Sequence, residues 1–237
     1  MSEHTIKVFD EELQDLARLV AEMGGLAEKQ IADSVGALVK RDAARAQRVI
    51  TADDAIDALQ HAIEEKAVLT IARRQPMAID LREIVSALRV ANDLERIGDL
   101  AKNIGKRVLA LPADFYPQKL IRGVEHMSSM VLAQLKQVLD AYAGRDLAKA
   151  LAVWNGDEQV DAMCTSLFRE LLTYMMEDPR NISFCIHLLF CAKNIERMGD
   201  HATNIAETVY FMVEGHPLTD ERPKGDTTAT TTVPYNG

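Results

Sequence analysis

The sequence predicts an all-α protein built as two tandem antiparallel three-helix bundles, six long helices in all, and three observations support this fold class. The 237 residues include only 12 glycines and 7 prolines, and proline is absent from 1–75 and 118–178, which allows long unbroken helices. Apolar residues recur at helical spacing, and the chain repeats itself once. Sandwiches and barrels, which need frequent turns, are thereby excluded.

The repeat is visible when the chain is compared with itself. A shift of 104 residues superimposes the pattern of residues 41–57 on that of residues 145–161, including its aspartates, Asp53 on Asp157 and Asp57 on Asp161. A shift of 101 residues superimposes Leu94–Asp99 (LERIGD) on Ile195–Asp200 (IERMGD). A short deletion near Pro179 in the second copy accounts for the three-residue difference. The chain therefore holds two copies of one unit.

Each copy contains three long periodic segments that predict its helices. They are 6–40, 43–74 and 79–109 in the first copy, and 118–144, 146–177 and 181–214 in the second. Helices of this length are about 45 Å long. In the third helix the apolar residues step by four and three, a spacing typical of the seam of a left-handed bundle: Val90, Leu94, Ile97, Ala101, Ile104 and Val108.

The predicted organisation has four parts. A first bundle spans 1–111, a linker with two prolines spans 112–117, and a second bundle spans 118–215. The remainder, 216–237, is rich in threonine and poor in apolar residues, so a disordered tail is expected there.

Charge and cysteine content restrict the class of protein. The 27 basic and 36 acidic residues give a net charge of −9, which opposes nucleic-acid binding and favours cationic partners. Three cysteines without a C-x-x-C pair are expected to be buried hydrophobic residues in a reducing cytoplasm. Neither a signal peptide nor a run of about 18 apolar residues is visible, so we expect a cytoplasmic protein that reaches membranes only through partners.

Acidic residues repeat on the last helix of each copy. With Leu94 at heptad position a, Glu95 falls at b and Asp99 at f, opposite the a/d seam. Glu196 and Asp200 repeat this pair in the second copy. The middle helices add Asp57 and Asp161 at outward positions, together with Asp53, Asp54, Asp157 and Glu158. All of these carboxylates are therefore expected on the outside of the bundles.

If the middle and last helices are adjacent, their acidic faces meet in a shallow surface groove. Oxygen-only clusters of this kind suit Mg²⁺, Mn²⁺ or iron. An alternative is that the faces are simply solvated, with Arg96 and Arg197 pairing with the aspartates three residues later. Gly98 and Gly199 cost about 1 kcal/mol each relative to Ala inside a helix, so either a ligand or a packed helix is expected close to the backbone there.

Residues for catalysis are scarce. No Glu-x-x-His pair of the di-iron bundle type is present, nor is a phosphate-binding loop or nucleophile motif. His201 follows Asp200 but corresponds to Leu100 in the first copy, which predicts a surface residue. The sequence therefore predicts that the protein is not an enzyme.

The two E-x-x-x-D motifs, with Ala72–Pro76 (ARRQP) and Tyr174–Asn181 (YMMEDPRN), resemble those of the PhoU family of phosphate-uptake regulators. The resemblance covers about residues 5–215. It implies a cytoplasmic, homodimeric regulator of two three-helix bundles that represses the phosphate-starvation regulon when phosphate is abundant. It also implies two partners, the ATPase subunit of the phosphate ABC transporter and the phosphate-sensing histidine kinase.

The same resemblance implies multinuclear metal clusters, of iron, zinc, manganese or magnesium, at the E-x-x-x-D faces. Carried to this sequence, the ligands are Glu95, Asp99, Glu196 and Asp200, with Asp57 and Asp161 as further ligands on the middle helices. Two alternatives stay open: a carboxylate-bridged metal enzyme or metal store, and a coiled-coil scaffold whose acidic faces serve solubility alone.

Overall fold

The computed structural model describes residues 3–111, 117–220 and 222, and these residues form seven α-helices and one 3₁₀ turn. The first copy comprises α1 (Glu3–Lys40), α2 (Ala43–Arg74) and α3 (Ile79–Ala110). The second comprises α4 (Gln118–Gly144), α5 (Leu147–Asn155), α6 (Asp157–Glu177), the 3₁₀ turn Pro179–Asn181 and α7 (Ile182–Glu214). The predicted all-α class and the two tandem three-helix bundles are confirmed, and most helix ends agree with the prediction to within a few residues.

The middle helix of the second copy differs from the prediction of one helix over 146–177. It is interrupted at Gly156, whose N–H donates to the carbonyls of Ala152 and Val153, at 3.2 and 3.0 Å. The carbonyl of Gly156 accepts from the N–H of Gln159 at 3.3 Å and also from Nε2 of Gln134 on α4, at 3.0 Å. A side chain from another helix therefore contacts the backbone at the break, and helical periodicity does not predict such a contact.

The repeated Arg-Asp pair forms the same turn in both copies. Arg41 and Arg145 adopt left-handed backbone angles, with φ of 54° and 50°. The next residue caps the middle helix: the Asp42 carboxylate accepts from the N–H of Arg45 at 2.8 Å, and the Asp146 carboxylate accepts from the N–H of Lys149 at 3.1 Å. Such N-caps are each worth about 1 kcal/mol.

The two bundles pack against each other through α1 with α4 and through α3 with α7. Arg107, near the end of α3, lies 4.2 Å from the ring centre of Phe190, near the start of α7. Arg89, near the start of α3, lies 4.7 Å from the ring of Phe211, near the end of α7. The two last helices therefore run antiparallel.

The predicted apolar seams form the core. In α3 the side chains of Leu94, Ile97 and Ile104 are fully buried, as are those of Ile195 and Ile205 in α7. Along the described ranges, no helix combines the length and the apolar character needed to cross a bilayer.

The three cysteines are buried, as predicted. Cys164, Cys185 and Cys191 form no disulfide. Burial raises the pKa of the Cys185 thiol and raises that of Cys191 to about 12, so both thiols stay protonated at neutral pH.

Of the tail predicted over 216–237, residues 216–220 and 222 are described, and several of them contact the helices. Gly215 ends α7 in a left-handed conformation, with φ of 85°. The imidazole of His216 meets the Tyr210 ring edge to face at 5.6 Å, and Leu218 packs against the core. Positions 221 and 223–237 lie outside the described residues, as do positions 112–116 of the predicted linker.

The two adjacent glycines of α1 provide a matched test of the bundle contact. A Cβ at Gly24 would lie 2.7 Å from Cδ1 of Leu139 on α4, whereas a Cβ at Gly25 would meet nothing within 4 Å. Gly25→Ala should raise the free energy of unfolding by up to about 1 kcal/mol. Gly24→Ala should gain less or lose stability, because Leu139 must move. Urea unfolding measures both, and equal gains would contradict a close contact at Gly24.

Candidate functional site

The predicted site residues lie where the middle and last helices of each bundle pack together. We call the first set, on α2 and α3, the first acidic groove: Asp53, Asp57, Glu95 and Asp99. The second set, on α6 and α7, is the second acidic groove: Asp157, Asp161, Glu196 and Asp200. The two helices are adjacent in each bundle, as the prediction of a groove requires.

Several of these carboxylates are buried, which contradicts the expectation that all point outward. Asp53, Asp157, Asp161 and Glu196 are only 1%, 2%, 3% and 7% exposed. The heptad assignment describes a single seam, whereas α3 and α7 each pack against several helices at once, so positions outside that seam are covered too. Asp57, Glu95, Asp99 and Asp200 keep partial exposure.

Gly98 allows α2 to approach α3 closely. A Cβ at Gly98 would lie 3.0 Å from Cδ1 of Ile56 and 3.1 Å from Oδ1 of Asp53. Of the two explanations open from the sequence, the structure therefore supports a packed helix. At Gly199 the nearest atoms belong to Val131 and Val160 at 3.5 Å, which is ordinary contact, so this glycine is less constrained.

Two glutamines 104 residues apart hold the backbone of the grooves. With its amide oriented to satisfy both neighbours, Gln30 of α1 donates to the carbonyl of Gly98 at 3.2 Å and accepts from the N–H of Asp53 at 3.0 Å. Gln134 of α4 donates to the carbonyl of Gly156, directly before Asp157. Neither glutamine was identified from the sequence, although the 104-residue shift between the two copies superimposes Gln30 on Gln134.

Lys102 supplies the positive charge of the first groove. Its Nζ lies 2.6 Å from Oδ2 of Asp53 and 3.7 Å from Oδ1 of Asp99. On the surface side, Arg96 lies 3.5 Å from Asp99 and 3.3 Å from Glu95. The alternative of a solvated acidic face, with Arg96 paired to Asp99, therefore describes Arg96 correctly. It does not account for Lys102 or for the buried carboxylates.

The first groove holds more negative charge than these cations neutralise. Burial raises the pKa of Asp53 although Lys102 opposes the shift, and burial likewise raises the pKa of Glu95 against the opposing charge of Arg96. Charges on Asp57 and Asp99 push both values further upward. Oδ1 of Asp53 and Oε2 of Glu95 are buried without a hydrogen-bond partner. A further cation would stabilise these charged groups.

The second groove obtains its counter-charge from a different part of the chain. Thr203 occupies the position that Lys102 has in the first copy, and its hydroxyl lies 3.1 Å from both Oδ1 of Asp157 and the carbonyl of Gly199. Lys193 of α7 lies 3.1 Å from Oε1 of Glu196, and the positive charge at Asp157 and Asp200 comes from Arg222, beyond α7. Its Nε lies 2.9 Å from Oδ2 of Asp157, and its Nη2 lies 2.7 Å from Oδ1 of Asp200.

The grooves offer oxygen donors to a metal ion without presenting a finished coordination shell. Across residues 3–111, 117–220 and 222, no three histidine, cysteine or carboxylate side chains converge to hold one ion. Oδ1 of Asp53 and Oε2 of Glu95, which accept no hydrogen bond, are nevertheless the donor type that hard and borderline cations prefer. The residues of the first groove therefore fit a metal ion chemically, and Nζ of Lys102 lies beside two of them.

His201 is not the surface residue that the sequence predicted. Its Nδ1 lies 2.8 Å from Oδ1 of Asp93 on α3, and Nδ2 of Asn204 donates to the same oxygen at 3.3 Å. His201 thus joins the two bundles. Its first-copy counterpart is Leu100, so the repeat gave no sign of this contact.

Comparison with known proteins gives matches along most of the chain. The family model described as "PhoU domain" matches residues 20–108 and 124–209. A "Phosphate-specific transport system accessory protein PhoU homolog" of Rhizobium meliloti is 60% identical over 227 residues, covering 96% of each chain. The homolog of the same name from Caulobacter vibrioides is 53% identical over 226 residues, 95% of this chain and 98% of the relative.

Solved structures agree with the fold. The crystal structure of PhoU from Pseudomonas aeruginosa superimposes with a TM-score of 0.82 at 41% identity, covering 88% of this chain and 100% of that one. The phosphate transport system regulatory protein PhoU of Streptococcus pneumoniae gives a TM-score of 0.83 at 28% identity, with 89% and 99% coverage.

The buried charge of Glu95 predicts a pH-dependent stability difference. Because burial raises its pKa above the ordinary 4.5, the folded state favours the protonated carboxyl, and stability is lost as pH rises through the raised value. Glu95→Gln removes a charge that burial destabilises more than Arg96 stabilises, and it should raise the free energy of unfolding by about 1 kcal/mol at pH 7, with little gain near pH 4. Urea unfolding at both pH values measures this, and a loss at pH 7 would contradict it.

The matched control for this measurement is Glu65→Gln, which neutralises an exposed carboxylate on α2. It should change stability by less than about 0.5 kcal/mol at either pH.

Proposed function

The chain belongs to the PhoU family, and on that basis we propose that it is a negative regulator of phosphate uptake and of the phosphate-starvation regulon. The observation that carries the proposal is identity of 60% and 53% along almost the full length of relatives named as accessory proteins of phosphate-specific transport. A role in the regulation of phosphate transport follows from this similarity, and the direction of regulation is our inference.

We infer that the protein acts as an adaptor in the cytoplasm, between the ATPase subunit of the phosphate ABC transporter and the phosphate-sensing histidine kinase. Exposed apolar side chains at the α2–α3 turn support docking on protein partners, with Met77 80% exposed and Ile79 54% exposed. The equivalent turn before α7 carries Met176 at 68% exposure. We also infer a homodimer, as the resemblance to the family implies.

We further propose that the acidic grooves bind metal ions, as the burial of excess carboxylate charge suggests. In the first groove the ligands would be Glu95, Asp99 and Asp57, with Asp53. In the second they would be Glu196, Asp200 and Asp161, with Asp157. A bound cation would supply positive charge that holds the middle helix against the last helix. Iron, zinc, manganese and magnesium all remain candidates for this role.

The regulatory proposal is tested in the host by deleting the gene and measuring alkaline phosphatase in phosphate-rich medium. Activity should rise in the deletion strain and return to a low level with the wild-type gene. Asp99→Ala/Asp200→Ala should restore repression only partly, because both grooves lose a proposed ligand. The control Glu65→Ala/Glu214→Ala removes two exposed carboxylates and should repress fully. Low activity in the deletion strain would contradict the proposal.

A metal store or carboxylate-bridged metal enzyme is the second candidate, and the burial of Asp53, Asp161 and Glu196 favours it. Buried carboxylates on a helical bundle are the ligands of di-iron enzymes, although the histidines of those sites are missing from both E-x-x-x-D motifs. This candidate predicts oxygen consumption by the iron-loaded protein at a rate that falls at least tenfold in Asp99→Ala/Asp200→Ala. Oxygen-electrode traces equal to those of free iron would exclude it.

A further inference from the structure

The two acidic grooves differ in how the chain neutralises them. In the first groove Lys102 lies on α3 itself, three residues after Asp99, so it belongs to the helix that carries the acids. In the second groove position 203 is threonine, and Lys193 of α7 pairs with Glu196. The cation at Asp157 and Asp200 is Arg222, which lies eight residues beyond Glu214, the last residue of α7. The second groove is therefore filled by a segment that follows the repeat.

Arg222 is seated in the second groove by charge and by burial. Its side chain is 16% exposed, and it contacts a different carboxylate through each of two nitrogens, at 2.9 and 2.7 Å. Hydrogen bonds between ionised groups are about twice as strong as neutral ones. Asp157, one of its partners, is only 2% exposed. The guanidinium thus occupies the space between α6 and α7 where a bound cation would contact both aspartates.

The path of the chain accounts for this position. Asp200 lies 14 residues before the end of α7, about 21 Å along the helix, and eight extended residues span up to about 27 Å. Gly215 begins the reversal with its left-handed backbone. Pro217 and Leu218 then lie in the groove between α3 and α7, beside Leu88 and Phe211. Residues 215–220 and 222, which we call the C-terminal strap, therefore run back along α7.

We propose that the C-terminal strap is a built-in competitor of metal ions at the second acidic groove. Arg222 and a metal ion need the same oxygens of Asp157 and Asp200, so one must leave before the other binds. The strap is tethered, which gives Arg222 an effective concentration in the millimolar range. The apparent affinity for a metal ion is therefore the intrinsic affinity of the open groove multiplied by the fraction of molecules in which the strap is released.

Metal binding at the second groove thereby becomes coupled to exposure of another surface. Release of Arg222 frees the strap, and departure of Leu218 uncovers the groove between α3 and α7, where Val85, Leu88 and Phe211 supply an apolar wall. The first groove lacks this coupling, because Lys102 can swing away without movement of the backbone. The strap would thus convert a change in bound cation into a change in the surface presented to partners.

This inference rests on the proposed metal role of the grooves, and the experiment separates the two. Mn²⁺ is titrated into full-length protein by calorimetry, in a Glu95→Gln/Asp99→Asn background that disables the first groove. Adding Arg222→Gln should tighten Mn²⁺ binding by about tenfold, within the usual range of coupling between sites, and adding Arg222→Lys should have a smaller effect. The control Arg180→Gln removes an 88% exposed arginine paired with Asp178 and should leave the affinity unchanged.

Amide hydrogen exchange of residues 216–220 gives an independent readout. In wild-type protein saturating Mn²⁺ should speed exchange in the strap, and Arg222→Gln should show fast exchange without metal. If Mn²⁺ binds the Glu95→Gln/Asp99→Asn background with equal affinity with and without Arg222→Gln, and exchange in the strap does not respond to Mn²⁺, the competitor role is overturned while the metal site stands. If none of the variants binds Mn²⁺, both the metal role and the competitor role are overturned.

Discussion

Carboxylates buried between helices are the constraint on which the rest of this structure depends. An ionised carboxylate removed from water costs several kcal/mol unless a cation or hydrogen-bond donors replace the lost water. Asp53 and Asp157 are in this position, each where the middle helix of its bundle meets the last helix. Lys102 and Arg222 supply the charge, and Gln30 and Gln134 hold the adjacent backbone. Helix packing and cation binding therefore depend on the same atoms.

The two copies meet this constraint in different ways. The acids of the first groove repeat in the second, but Lys102 is replaced by Thr203, whose neutral hydroxyl leaves the charge of Asp157 and Asp200 to Arg222. The lysine that contacts Asp53 and Asp99 therefore belongs to α3 itself. Asp157 and Asp200 require a residue beyond the last helix, so the state of the second groove is linked to the position of the segment that follows α7.

Much of the fold was predictable because its signals are local. The spacing of apolar residues and the Arg-Asp turns at Arg41 and Arg145 act over a few neighbouring residues. The ends of the helices could therefore be predicted from them. The break at Gly156 was missed because one glycine in an otherwise periodic segment is compatible with a continuous helix, and its contact with Gln134 comes from a different helix. The burial of Asp161 and Glu196 was missed for a similar reason: a heptad pattern describes one interface, whereas each of these helices has several neighbours.

The site was predictable in its acids and not in its cations, and the difference has a physical origin. Acids repeated at helical spacing identify a face, but the partner of a buried charge is set by the folded chain. Lys102, three residues after Asp99, could have been recognised, while Arg222 lies in a segment whose composition suggested disorder. Because the chain brings its own cations to both grooves, the metal binding that we propose would be an exchange of one cation for another. Its affinity would then depend on the strength of these internal pairs as much as on the number of carboxylates.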